Sequence, residues 1–120
     1  MLNLDTHILL YALAGSLRRP EDALLRREPW SISAIVLWEI AKLAQLGRIE
    51  VDLDAVQLTR ALSRVHVWPL DLEICRAIRT LDVEGDPADE IIAATSVVYR
   101  VPLVTRDRRL RRSKLIPLAV

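Results

Sequence analysis

Short apolar strands alternate with helices along the whole of this chain, and that alternation limits its fold more than any other feature. Residues 2–4 read as a strand, with a helix starting just after Asp5-Thr6. A second helix fits 20–28, opened by Pro20, and Trp30 to Ser33 is again a strand. Ser33 then caps a helix to Leu46 that Gly47 stops as the residue past its end. An amphipathic helix over 54–64, a strand from Val65 to Leu70 and an Asp71-capped helix to Leu81 follow. Asp86-Pro87 opens a helix to Tyr99, Val101 to Thr105 is a strand, Asp107 to Arg112 a helical turn, and Leu115 to Leu118 a last strand. No repeat, linker or low-complexity stretch interrupts the order. The pattern predicts one α/β domain over 1–120, with a parallel sheet covered on both faces. Functional sites in such folds form outside the carboxyl ends of the strands.

Four acids stand out against this frame. Asp5 and Asp107 each follow a strand directly, which places them at the same sheet edge. Taken alone, Asp5 is an ordinary helix cap, but Thr6 can cap equally well and leave Asp5 free. Glu39 lies on a helix that is apolar nearly all round (Ile35, Val36, Leu37, Trp38, Ile40, Ala41, Leu43, Ala44), and such a helix is expected to be buried. A surface pair with Lys42, worth ~0.2–0.5 kcal/mol, does not account for an acid there. Asp86 is explained as the cap of its helix. Asp89 shares a face with Ala93 and Ser96, small residues that let the helix approach the sheet, so Asp89 is the stronger site candidate and Asp86 stands at the rim. Asp107, a plain surface acid if read alone, gains weight from its strand-end position beside Thr105.

Carboxylates about 4 Å apart repel by about 4 kcal/mol at an effective dielectric of about 20, so a cluster of four needs protons or a cation. An all-oxygen donor set without His or Cys selects Mg2+ or Mn2+ over zinc. Ions of that kind bridge phosphate oxygens and activate water for attack on phosphorus. The expected substrate is therefore a polyanion. Arg106, Arg108, Arg109, Arg111, Arg112 and Lys114 surround Asp107 and are candidates for RNA phosphate contacts, with Arg18, Arg19, Arg26 and Arg27 as an extension. Net charge is only +1, so this run, not the global balance, carries the argument.

The remaining composition sets the context. The only cysteine, Cys75, excludes an internal disulfide, fits a reducing cytoplasm, and is expected to pack inward. His7 and His66 are the only histidines, so no zinc pattern exists; His7 is expected to pack or line a rim. No signal peptide precedes the first strand and no apolar run approaches the ~20 residues of a membrane span, so a cytoplasmic protein is expected. A hydrophobic fraction of 52% is high for so small a domain and points to a partner chain or a homodimer.

Together these segments resemble a PIN domain, in particular a VapC-type toxin ribonuclease of a type II toxin–antitoxin pair. The matching stretches are Leu4-Asp5-Thr6-His7, Ser33 to Glu39 with Trp38-Glu39-Ile40, Asp86-Pro87-Ala88-Asp89 followed by Ile91-Ile92-Ala93-Ala94-Thr95, and Leu103-Val104-Thr105-Arg106-Asp107. They occur in the family's order and span nearly the whole chain. The resemblance implies a three-layer α/β/α sandwich, Mg2+- or Mn2+-dependent RNA cleavage, homodimerisation and inhibition by a VapB-like antitoxin. It assigns ligand and catalytic roles to Asp5, Glu39, Asp89 and Asp107, with Asp86 able to share the third role, and supporting hydroxyls to Thr6 and Thr105. One departure is Glu90, where many relatives carry Arg directly after the third acid.

Two other readings stand beside it. A receiver-like regulatory domain expects an acidic pair at the first strand and a late Lys, neither of which occurs around Asp5 or Thr105. A catalytically silent PIN-like binding module expects a lost acid, and all four are kept. An Asp-x-Asp phosphatase motif is excluded because His7 stands where its second acid belongs.

Overall fold

A computed structural model describes residues 1–119. The elements in chain order are β1 (Leu2–Leu4), α1 (Thr6–Ala14), α2 (Arg19–Arg27), β2 (Trp30–Ser33), α3 (Ala34–Gln45), α4 (Val56–Leu62), β3 (His66–Trp68), α5 (Leu72–Ile78), α6 (Pro87–Tyr99), β4 (Leu103–Val104) and α7 (Arg108–Arg111). The strands form one sheet in the order β3-β2-β1-β4. Every pairing is parallel, with Asn3 opposite both Ser31 and Leu103. Parallel neighbours require crossovers, which the helices supply, and the result is an α/β/α sandwich.

That strand order fixes where a site can form. The chain winds outward from β1 through β2 to β3, then returns to lay β4 on the other side of β1. The direction of winding therefore reverses between β1 and β4, and the carboxyl ends of strands flanking such a reversal open into a crevice. Asp5 leaves β1 there, and Thr105 and Asp107 leave β4 beside it.

The core is built from both faces of the central strands. Leu4, Ile32, Leu103 and Val104 pack with Ile8 and Leu9 of α1, Val36 and Ile40 of α3, Ile92 of α6 and Leu110 of α7, all essentially inaccessible. Polar groups inside are tied down. Asn3 Nδ2 donates to the Ile92 carbonyl at 3.1 Å and to Ser96 Oγ at 2.9 Å, fixing α6 against β1. Ala93, Ala94 and Ser96 are fully buried on α6, so the small face does allow the close approach on which the position of Asp89 depends. Further along the same helix, Tyr99 stacks on the Trp68 ring with centroids 4.3 Å apart, and Trp68 Nε1 donates to Ser31 Oγ at 2.8 Å.

Several expectations are corrected. Cys75 is exposed, because α5 turns only Ile74 fully inward and the next residue is rotated away from α6. Helix α3 is not buried all round: Leu37 is 38% and Trp38 57% exposed, while Val36 and Ile40 face the core. The segment 115–118 is not a strand. Ser113 Oγ accepts from the Leu115 and Ile116 amides, which curls the chain, and only a single parallel bridge from Leu118 to Leu103 remains. The predicted strands 65–70 and 101–105 and the helices 54–64 and 71–81 are shorter than expected. Gly47 does end α3 as predicted, at φ +71°.

Core placement has a measurable consequence. Ile32→Ala should cost about 2–5 kcal/mol in urea unfolding, whereas Leu53→Ala, at a side chain 49% exposed, should change stability by less than about 0.5 kcal/mol. Equal costs at the two positions would contradict the assignment of Ile32 to the core.

Candidate active site

The end of β1 and the end of β4 are joined by one hydroxyl. Thr105 Oγ1 donates to Asp5 Oδ2 at 2.6 Å and accepts from the Asp107 amide at 3.0 Å. Asp5 is only 6% exposed, and its other oxygen accepts from the His7 amide at 3.3 Å. Asp5 is thus both the cap of α1 and a cavity acid, while Thr6 does not cap but donates its hydroxyl to Glu39 Oε1. That hydrogen bond ties the first turn of α1 to the middle of α3. Asp107 caps α7 through Oδ1, accepting from the Arg109 and Leu110 amides at 2.8 and 3.2 Å.

Asp5, Glu39, Asp86, Asp89 and Asp107 line a single cavity of about 300 Å3, together with His7, Ile8, Tyr11 and Arg106. All four acids singled out in the sequence, and the rim acid Asp86, therefore lie around one space. Asp86 sits at the start of α6 with no side-chain capping bond, so its carboxylate is not committed to the helix. Glu90 does not line the cavity. His7 is exposed at its rim, as expected.

Asp89 carries the strain of this arrangement. Its carboxyl is pushed up to about 6, first by desolvation and then by the negative charges of Asp5, Asp107, Glu39 and Asp86. Among the described residues no side chain hydrogen-bonds it, whereas Asp5 has Thr105 and Glu39 has Thr6. Among the described residues no three of these acids are drawn together into a closed ligand group. The donor set nevertheless fits a hard divalent cation: all oxygen, strongly anionic, and with the Asp89 carboxyl pushed up by burial and by its acidic neighbours.

The one cation at the wall is already spent. Arg106 Nε and Nη2 donate to both oxygens of Glu21 at 2.9 and 2.7 Å, and its guanidinium lies 4.1 Å from the centre of the Tyr11 ring. The pair holds the Glu21 carboxyl below its usual range, Arg106 being the main cause. Glu21 also accepts from the Arg18 amide at 2.8 Å. Arg106, expected to contact RNA, gives two of its donors to Glu21 and lines the cavity. Sequence reading missed Glu21 and Tyr11, since an acid in the first turn of a helix is fully explained by the dipole. Arg108, Arg109 and Arg112 are exposed on and after α7 and line none of the cavities described here, and Arg111 donates to the Thr105 carbonyl at 3.1 Å.

Comparison with known proteins bears on this geometry. The model of the PIN domain family matches residues 3–114. The chain belongs to the PIN domain family. Ribonuclease VapC22 of Mycobacterium tuberculosis is 30% identical to this PIN domain over 115 residues, covering 90% of this chain and 88% of the relative. Among solved structures, a toxin-antitoxin complex from Klebsiella pneumoniae is 28% identical with a TM-score of 0.64, covering 89% of this chain and 87% of that one. DNA-bound VapBC from Salmonella typhimurium, at 20% identity, superposes with a TM-score of 0.73 over 99% of this chain and 98% of its own, a likeness of fold.

The raised Asp89 carboxyl makes a stability prediction. Between about pH 4 and about pH 6 the native state holds a proton that the unfolded chain has lost, so stability falls as pH rises through that window and stays lowered above it. Asp89→Asn should flatten this slope and raise the Tm by a few degrees at pH 7.5 in EDTA. Thermal unfolding as a function of pH checks it; an Asn variant less stable than wild type at pH 7.5 would contradict the repulsion.

Proposed function

We propose that this PIN domain is a VapC-type toxin, a Mg2+- or Mn2+-dependent endoribonuclease restrained by a VapB-like antitoxin. The observation that carries the reading is the opening of five carboxylates into one cavity at the sheet's winding reversal, with the Asp89 carboxyl pushed up to about 6 by burial and by the other four. The identity shared with Ribonuclease VapC22 supports the same reading.

In this reading Asp5, Glu39, Asp89 and Asp107 hold the divalent cation, and Asp86 adds a fifth carboxylate at the rim. The cation supplies charge for the phosphate and lowers the pKa of the attacking water. The protein's own part is positioning. Thr105 orients Asp5 and the Asp107 backbone together, and Thr6 orients Glu39, so three acids from three elements keep fixed directions. Asp89, beside the other acids, would be held ionised by the charge of such a cation. Asp5→Asn should lower RNA cleavage by orders of magnitude in Mg2+ or Mn2+ while leaving RNA binding unchanged or tighter, because a charge facing the phosphate is gone. Full cleavage by that variant would sink the mechanism.

Association belongs to the same proposal. Leu37 and Trp38 on α3 and Leu70 and Leu72 at the start of α5 are exposed apolar side chains, and we assign them to a homodimer interface. A groove of about 450 Å3, lined by Leu13, Leu25, Pro29, Trp30, Ala61 and Val65 with Glu28 and Arg64 among them, suits a largely apolar segment of the antitoxin. Sedimentation at micromolar concentration should show a dimer for the wild type and a folded monomer for Trp38→Glu. A strictly monomeric wild type would contradict the interface.

A further inference from the structure

A second cavity, of about 270 Å3, adjoins the acidic one and is lined by Arg18, Pro20, Glu21, Val104, Thr105, Arg106 and Arg111. The two spaces share Arg106 as their dividing wall. Their charges are opposite. Five carboxylates face one side, whereas the other presents three guanidinium groups against the single carboxylate of Glu21. Because Glu21 takes both donors of Arg106 that it can reach, the uncompensated charge on this side belongs to Arg18 and Arg111. Among the described residues neither forms an ion pair.

Arg111 is aimed as well as charged. Its Nη1 donates to the Thr105 carbonyl, the same residue whose hydroxyl holds Asp5. Thr105 thus fixes an acid on one side of the wall and a cation on the other, and the remaining Arg111 donors stay available. Arg18 stands across the cavity, at the start of α2, with its backbone amide held by Glu21 and its side chain free of that bond.

We infer that the Arg18–Arg111 cavity binds one phosphate of the RNA strand next to the bond being cut. The inference rests on the ribonuclease reading and assigns strand placement to two arginines. A polyanion crossing the acidic cavity meets repulsion unless its adjacent charge is gripped, and this is the adjoining space where unpaired guanidinium groups converge. Arg108, Arg109 and Arg112, which line neither cavity, contribute only general attraction. A phosphate contact at this place fixes register without selecting sequence.

The test uses the full-length protein and a short single-stranded RNA that the wild type cleaves. Arg18→Ala and Arg111→Ala should each raise KM about 5- to 20-fold with kcat changed less than about 3-fold, and lower the salt slope of KM by about one. Arg109→Ala and Arg112→Ala should change KM less than about 2-fold. Replacing a single phosphate beside the cleaved bond with a neutral methylphosphonate should impair the wild type similarly, and should add nothing in Arg18→Ala. Arg18→Ala guards against misfolding, since the Glu21 cap uses only its backbone. Unchanged KM in both variants, a fully additive methylphosphonate effect, or equal losses at Arg109 and Arg112 would each overturn the inference. A wild type that cleaves no RNA would instead overturn the ribonuclease reading beneath it. Rescue of KM by salt alone, with binding of an acidic peptide but not of the RNA, would assign the cavity to a protein tail and overturn the phosphate site.

Discussion

Mutual repulsion among five carboxylates at one end of a parallel sheet is the constraint to which the rest of this structure answers. Asp5, Glu39, Asp86, Asp89 and Asp107 come from the ends of two strands and from two helices, and all open into one cavity. Like charges so placed destabilise the fold unless each is held or neutralised. Two threonines and a set of helix-start amides hold three of them, leaving the cost concentrated on Asp89. The site is therefore preorganised at the expense of the unliganded fold, a pattern common where function and stability compete.

The Glu21–Arg106 pair decides which charges the outside world meets. Arg106 follows Thr105 directly, so with no partner it would be the nearest cation to the acidic cluster and its natural counter-ion. Glu21 and the Tyr11 ring hold it as a wall instead. The acidic cavity keeps its negative potential, and the adjoining space keeps a positive one. Thr105, Arg106 and Asp107 of the β4–α7 connection, Arg111 of α7, and Arg18 and Glu21 at the start of α2 thus divide two neighbouring spaces of opposite charge.

Much of this was legible in the sequence because the relevant signals are local. Alternating strands and helices dictated a parallel sheet, Asp86-Pro87 marked the start of α6 and Gly47 the end of α3. The acids were conspicuous because each sat at a strand end or among apolar neighbours. What stayed hidden depends on partners far apart in the chain. Glu21 and Arg106 are separated by 85 positions, and nothing near either residue announces the other. Asp5 and Thr105 are separated by 100. The exposure of Cys75 and Trp38 turned on the rotation of a short or amphipathic helix, where one residue's shift moves a side chain from core to surface. The segment 115–118 has strand composition, but the Ser113 hydroxyl bends the chain before it can pair.

If the carboxylate cluster is a divalent-cation site with Asp89 as its strained member, ion binding must displace a proton in a narrow pH range. Calorimetric titration of the protein with Mn2+, in two buffers of different ionisation enthalpy, measures that proton directly. At pH 6 the account predicts release of about half a proton per bound ion, falling to nearly none at pH 8, with no release from Asp89→Asn at either pH. Saturable Mn2+ binding at pH 6 without proton release, or no saturable binding at all, would contradict it.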